Sequence, residues 1–245
     1  TLQKALAEHR FQRQVRQINE SFFVVCGYGN TGSRLVKSLR KRLIRASVLD
    51  LKQDRIDALM LAEHPLFLPG LQADASTPRN LVLAGIMHPM CKSVVALTDD
   101  NAVNLHIAIT AKVLKPELKV ICRSDSHEIE ANMASFGTDA IIDPFDSFAK
   151  DLGLAVDYPY QYMLSDWFRN ESGETLAPVM QLPKGRWLLC GFGRFGQAIH
   201  RELVDAGMTV QVIEPNKALL NLPVNAVIGD GTEAVTLNQA GVGEA

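Results

Sequence analysis

The feature that most constrains this chain is a glycine pattern that occurs twice. Val24-Val25-Cys26-Gly27-Tyr28-Gly29-Asn30-Thr31-Gly32 is echoed by Leu188-Leu189-Cys190-Gly191-Phe192-Gly193-Arg194-Phe195-Gly196. In each copy an apolar run leads into Gly-x-Gly-x-x-Gly. A second apolar run then ends on an acid, Asp50 or Glu214, at the same offset between copies. Further on the offset shortens. Asp74 then matches Asp230, and Ala84-Gly85-Ile86 matches Ala240-Gly241-Val242, as a shorter second loop opposite His64-Pro65 would give. The chain therefore reads as one module used twice. The second copy stops at Ala245 where the first runs on, so it is expected to be truncated. The missing initial Met likewise predicts a fragment.

Between these landmarks, apolar runs alternate with amphipathic ones. Strands are predicted at 21–26, 46–50, 93–98, 119–122 and 139–142. Helices are predicted at 31–42, 53–63, 76–84, 101–114 and 128–136, with a poor strand at 66–71 broken by Pro69 and Gly70. That alternation specifies an α/β fold, a Rossmann-like doubly wound parallel sheet, with right-handed crossovers. The predicted organisation is a connecting helix at 1–20, a first domain at 21–150, an arm and linker at 151–184, and half of a second domain at 185–245. Residues 145–168 hold a run of aromatics (Phe145, Phe148, Tyr158, Tyr160, Tyr162, Trp167 and Phe168). They pack either on their own domain or on a neighbouring subunit. The basic helix at 2–20 is either a solvated face or a connector leaving an upstream membrane segment.

In such a fold each glycine has a physical role. Gly27 and Gly191 make the tight turn, Gly29 and Gly193 let a pyrophosphate approach the backbone, and Gly32 and Gly196 let helix and strand pack closely. The exposed N–H groups and the positive helix end attract phosphate. Asp50 and Glu214, about 20 residues on, suit a ribose hydroxyl pair and disfavour a 2′-phosphate. Asn30, Thr31 and Arg194 add polar groups near the phosphates. Thr98, Asp99 and Arg123 are expected beyond the strand ends, with Asp100 as a helix N-cap and Arg123 without an evident acidic partner. Cys26 and Cys190 read as core thiols.

Composition narrows the function classes. A formal net charge of −2 argues against a polyelectrolyte nucleic-acid binder, and 47% hydrophobic residues argue against disorder. Catalytic patterns are missing: no Tyr is followed four residues later by Lys, and no His-Glu-x-x-His occurs. The expectation is therefore a sensor and no enzyme. The rival reading is an NAD-dependent oxidoreductase whose substrate domain lies outside this stretch.

Gly27 to Gly32, Asp50, Ala73-Asp74-Ala75-Ser76, Ala84-Gly85-Ile86, Thr98-Asp99-Asp100-Asn101, Asn104-Leu105 and Ile121-Cys122-Arg123 together resemble the RCK (regulator of potassium conductance), or TrkA-N, domain. The resemblance covers 21–150 and the part of a second copy that ends at Ala245. It departs in Ala73, where Gly is usual, and in a longer insert around 64–70. It implies a cytoplasmic gating module on the plasma membrane for a potassium channel or transporter. Its cofactor would be NAD(H) or ATP, ADP or AMP, with a divalent cation as a further ligand class. A pore subunit, or an upstream pore segment, is implied as partner, with a homo-oligomer formed through the 145–168 arm. The candidate cofactor contacts are Gly27, Tyr28, Gly29, Asn30, Thr31, Gly32, Asp50, Asp74, Ala75, Thr98 and Arg123. In the second copy they are Gly191, Gly193, Arg194, Phe195, Gly196, Glu214 and Asp230.

Overall fold

The computed structural model describes residues 2–169, 176 and 178–244. Of the linker expected at 170–184, residues 170–175 and 177 lie outside the described residues. Contacts divide the chain into two compact units, Thr1–Asp143 and Pro144–Ala245.

The first unit is built on six strands: β1 (Phe22–Cys26), β2 (Arg45–Asp50), β3 (Gly70–Gln72), β4 (Cys91–Ala96), β5 (Lys119–Arg123) and β6 (Ala140–Ile142). They pair in the order β3-β2-β1-β4-β5-β6, all parallel, which is the doubly wound sheet expected. The chain moves outward from β1 in one direction, then returns and fills the other side. That reversal leaves a crevice between the carboxyl ends of β1 and β4.

Helices cover the sheet on both faces. On one face lie α2 (Asn30–Lys41) and α3 (Gln53–Leu61). They bury Val36, Leu39, Ile56 and Leu59 against Val25, Val48 and Val95. On the other lie α1 (Leu2–Arg16), α4 (Pro78–Leu83), α5 (Asn101–Leu114) and α6 (His127–Ser135). Their core contributions include Phe11, Val15, Leu81, Ile107, Ala111 and Met133, packed on Phe22, Val24 and Val120. Phe11, Val15 and Ile18 follow the i, i+4, i+7 spacing of one helix stripe continued into the next turn, and all three are buried. The carboxyl half of the basic helix is thus part of the first core, while Leu2 and Leu6 at its start are exposed.

The weak segment resolves differently from its expectation. The strand is only Gly70–Gln72, and Leu66 and Leu68 are buried in irregular chain before it. Pro69 lacks the N–H that a longer strand needs, yet its carbonyl still accepts from Val48 N at 2.9 Å.

The second unit opens with α7 (Pro144–Asp157) and α8 (Pro159–Arg169). It continues through β7 (Arg186–Cys190), α9 (Arg194–Asp205), β8 (Thr209–Glu214), β9 (Val227–Ile228) and α10 (Ala234–Gln239). Its three strands are parallel in the order β7-β8-β9, the counterpart of β1-β2-β3. Helix α7 packs on α9, with Phe145 and Phe148 against Phe195 at centroid distances of 5.3 and 5.2 Å and Asp146 accepting from Arg201 at 2.9 Å. Helix α8 buries none of its side chains, and Tyr158, Tyr160 and Phe168 are exposed.

One expectation about the thiols is corrected. Cys26 is buried and its thiol is pushed well above its ordinary range by desolvation, but Cys190 is exposed. Among the described residues no strand pairs with β7 on the side where β4 covers β1, and the equivalent cysteine is exposed.

Candidate functional site

The site grows from the turn between β1 and α2. Gly27 has φ +99°, and a Cβ there would lie 2.9 Å from the Leu97 carbonyl carbon on neighbouring chain. Gly32 sits one helical turn into α2. A Cβ on it would lie 1.9 Å from the Gly27 carbonyl oxygen, so only glycine lets helix and strand approach this closely. Gly29 caps α2 with extended backbone and no side-chain acceptor. The first-turn N–H groups of Asn30, Thr31 and Gly32 therefore have neither an intrahelical carbonyl nor a capping oxygen. This is an anion cradle made of main chain.

Asp50 closes the site from the end of β2. It is 4% exposed. Its Oδ2 accepts from Tyr28 N at 2.6 Å and its Oδ1 from Lys52 N at 2.8 Å. The carboxylate thus ties the glycine turn to the turn after β2. Oδ1, with Lys52 N as its one donor, retains acceptor capacity for a further hydroxyl. Arg55, on the first turn of α3, reaches back to Asp50 Oδ2 at 3.3 Å and lies 3.4 Å from the Cβ position of Gly29. A guanidinium therefore stands between the acid and the cradle. Sequence reasoning missed Arg55 and Lys52. Their position within a turn of Asp50 was the available signal.

The far wall comes from β4, α5 and the turn after β3. Asp74 Oδ1 accepts from the Ser76 N–H and hydroxyl at 2.9 and 2.7 Å, which shapes the turn carrying Ala75. Asn104 is fully buried. It accepts from Thr98 N at 3.0 Å and donates to the carbonyls of Thr98 and Arg123 at 3.0 and 2.9 Å. It pins the carboxyl ends of β4 and β5 together. Asp100 caps α5 as expected, accepting from Ala102 N and Val103 N. Arg123, expected without an acidic partner, has one: its Nη1 donates to Asp99 Oδ1 at 2.8 Å, across 24 residues of sequence. Together Gly27, Asp50, Lys52, Arg55, Asp74, Ala75, Thr98 and Asp99 line a cleft of about 440 Å³. That is within the usual size range of small-molecule sites. A larger hollow of about 890 Å³ lies at the amino ends of β1, β4 and β5, lined by Phe23, Lys92 and Lys119, where there is no glycine loop.

The second unit repeats the glycine turn and the strand-end acid, with Glu214 for Asp50 and Leu219 at the position of Arg55. Gly191 has φ +100°, and a Cβ on Gly196 would lie 2.1 Å from the Gly191 carbonyl oxygen. Glu214 Oε2 accepts from Phe192 N at 2.6 Å and Oε1 from Asn216 N at 2.8 Å. Asp230 Oδ1 accepts from the Thr232 N–H and hydroxyl, both at 2.8 Å, which hold its carboxyl below the usual range. Gly193 again caps its helix without a side-chain acceptor. The ring of Phe195 lies on Phe145 and Phe148, and Arg194 stands 5.6 Å over the Phe145 ring. Among the described residues, no three carboxylate, imidazole or thiol groups converge as a metal site, and no helix is long and apolar enough to cross a membrane.

A glycine cradle, a strand-end acid and a switch-point crevice define a dinucleotide-type α/β module, here in tandem. The family model for the TrkA-N domain matches residues 23–144 and again 187–245, so the chain belongs to the TrkA-N domain family. Among solved structures the chain is similar to the GsuK channel bound to NAD (TM-score 0.69, 14% identity), covering 94% of this chain and 52% of that one. It is similar to GsuK bound to ADP (TM-score 0.64, 18% identity; 93% and 52%) and to the GsuK RCK domain (TM-score 0.66, 15% identity; 94% and 63%). These likenesses establish a shared fold. An uncharacterised protein of Methanothermus fervidus is 28% identical over 141 residues, which are 57% of this chain and 21% of that protein. The chain thus spans about half of the GsuK channel chain and about a fifth of the archaeal protein.

Proposed function

We propose that this chain is a nucleotide-sensing regulatory module of a potassium channel or transporter, working at the cytoplasmic face of the membrane and performing no catalysis. The observation that carries the reading is the preorganised pairing of the Gly27–Gly32 cradle with Asp50 across the switch-point cleft. NAD(H) or an adenine nucleotide would set its phosphates on the N–H groups of Asn30, Thr31 and Gly32, with a ribose hydroxyl on Asp50. Thr98 and Ala75 would border the far end of the ligand. Membership of the TrkA-N family supports this, as does likeness to a channel whose structures hold NAD or ADP.

The exposed aromatics of α8 support assembly with a second copy, since such surface is stabilised by cover. Gating then requires a ligand that binds two arrangements of the assembly with different free energies, about 1.4 kcal/mol for each tenfold shift in population. The test is potassium flux by the full-length protein, with nucleotide titrated against wild type and Asp50→Asn. A nucleotide-dependent flux that weakens in the variant is expected. Tight nucleotide binding with no change in flux would remove the gating role and leave only the cradle.

A further inference from the structure

A second concentration of donors lies beside the cradle, on the flank of α2 that faces the chain between α3 and β3. Arg34, Lys37 and Arg40 recur at i, i+3 and i+6 along α2, and with Ser33, Glu63 and His64 they line a pocket of about 370 Å³. Arg40 is the unusual member. It is 6% exposed, its Nη2 donates to the Leu59 carbonyl at 2.9 Å, and its Nε is buried with no partner. A buried guanidinium without a counter-charge is costly, and among the described residues no carboxylate pairs with it. Glu63 is the one acid at the pocket, exposed and in no ion pair with the three bases. His64 Nδ1 accepts from Leu66 N at 3.1 Å, so a neutral ring carries its proton on Nε2 and offers a further donor.

The fold itself does not require this arrangement. In the second module the positions matching Arg34, Lys37 and Arg40 are Ala198, Arg201 and Val204, on a helix that follows the same glycine turn. Ala62, Glu63 and His64 form the opposite wall, where the stretch that lengthens the first module begins. The three bases and the insert occur together in the first copy; the second keeps one base, Arg201, paired with Asp146, and lacks the insert.

We propose that this pocket binds a phosphate-class dianion, with Arg40 as the buried counter-charge and Arg34 and Lys37 at the mouth. Two sources share that chemistry: free phosphate, and the phosphate tail of a nucleotide seated on the neighbouring cradle, which Tyr28 and Ser33 adjoin. The test measures the rise in unfolding temperature with inorganic phosphate, against chloride at equal ionic strength, in the whole protein. A saturable, phosphate-specific rise is expected. Arg34→Ala/Lys37→Ala should weaken the apparent affinity at least tenfold while leaving the phosphate-free unfolding temperature unchanged. Arg40→Met should abolish the response without lowering phosphate-free stability, because the uncompensated charge is gone. Repeating the titration at saturating ADP separates the sources. A persisting response assigns the pocket to free phosphate, and a competed response that still depends on Arg34 and Lys37 assigns it to the nucleotide tail. No response beyond chloride would overturn the proposal. So would a response unaffected by the Arg34/Lys37 pair, which places phosphate on the glycine cradle. A destabilised Arg40→Met that binds phosphate normally would also overturn it.

Discussion

Replacing Asp50 by Asn removes one charge and keeps the shape, so its effect follows from the hydrogen bonds and the Arg55 ion pair. In the native arrangement two backbone donors, Tyr28 N and Lys52 N, meet opposite oxygens of the carboxylate at 2.6 and 2.8 Å. An amide has one oxygen, so one of the two N–H groups must face an NH2 group. A buried donor left unsatisfied costs about 1–3 kcal/mol, and the surviving bond loses about 1 kcal/mol of charge assistance. The half-exposed Arg55 pair adds at most about 1 kcal/mol. The first unit should therefore lose about 2–5 kcal/mol, a large share of a domain's usual stability. Far-UV circular dichroism during urea unfolding, with hydrogen exchange read at the Tyr28 and Lys52 amides, measures both the loss and its location. Exchange at those two amides should accelerate most. Glu214→Gln should do the same at Phe192 and Asn216, where the distances are also 2.6 and 2.8 Å. A change under about 0.5 kcal/mol, the scale of an ordinary surface substitution, would refute the claim that the acid organises the glycine turn.

Three further outcomes follow from the packing and the charges. Phe11→Ala should cost about 3–5 kcal/mol in thermal unfolding of the first unit, because Phe11 is 2% exposed in its core; a loss below about 1 kcal/mol would make α1 a detachable connector. In the 245-residue chain at pH 8, iodoacetamide should modify exposed Cys190 well before Cys91 and Cys122, whose thiols burial pushes up to about 11 and about 12; mass mapping of the first-labelled peptide decides it. Asp139 is held below the ordinary carboxyl range first by its bond to Lys112 Nζ at 2.7 Å. A lowered folded pKa contributes stability that is complete above the unfolded value of about 4 and is lost as pH falls through the folded one. Acid unfolding followed from pH 6 to pH 2 should show a shallower limb in Asp139→Asn, and an unchanged limb would refute that coupling.

Much of the frame was readable because its signals are local. The turn from β1 into α2, the acid ending β2 and the Asp100 cap each depend on residues a few positions apart. The duplication let the glycine turn and the strand-end acid be read twice. What escaped reading depends on chain brought together from a distance. Strand β3 is set by pairing with Val48 to Asp50 and has little propensity of its own. Asn104 looks like an ordinary helix residue until β4 and β5 place the Thr98 and Arg123 carbonyls around it. The Arg123–Asp99 pair needs those same two strands in register. Arg55 needed only the knowledge that α3 folds back over the glycine turn. Cys26 is buried beside Ala96 of β4, whereas among the described residues no strand covers its twin Cys190, which is exposed.

The central claim is that a ribose sits on Asp50 while its phosphates rest on the Gly27–Gly32 main chain. Comparing the dissociation constants of ADP and 2′-deoxy-ADP, for wild type and Asp50→Asn, tests it in one calorimetric titration set. A hydroxyl bonded to a carboxylate contributes about 1.5–3 kcal/mol, so wild type should favour ADP by roughly tenfold or more. The gap should close in the variant. Equal affinity of the two nucleotides for wild type, or a preference that survives in Asp50→Asn, would place the sugar elsewhere and contradict the account.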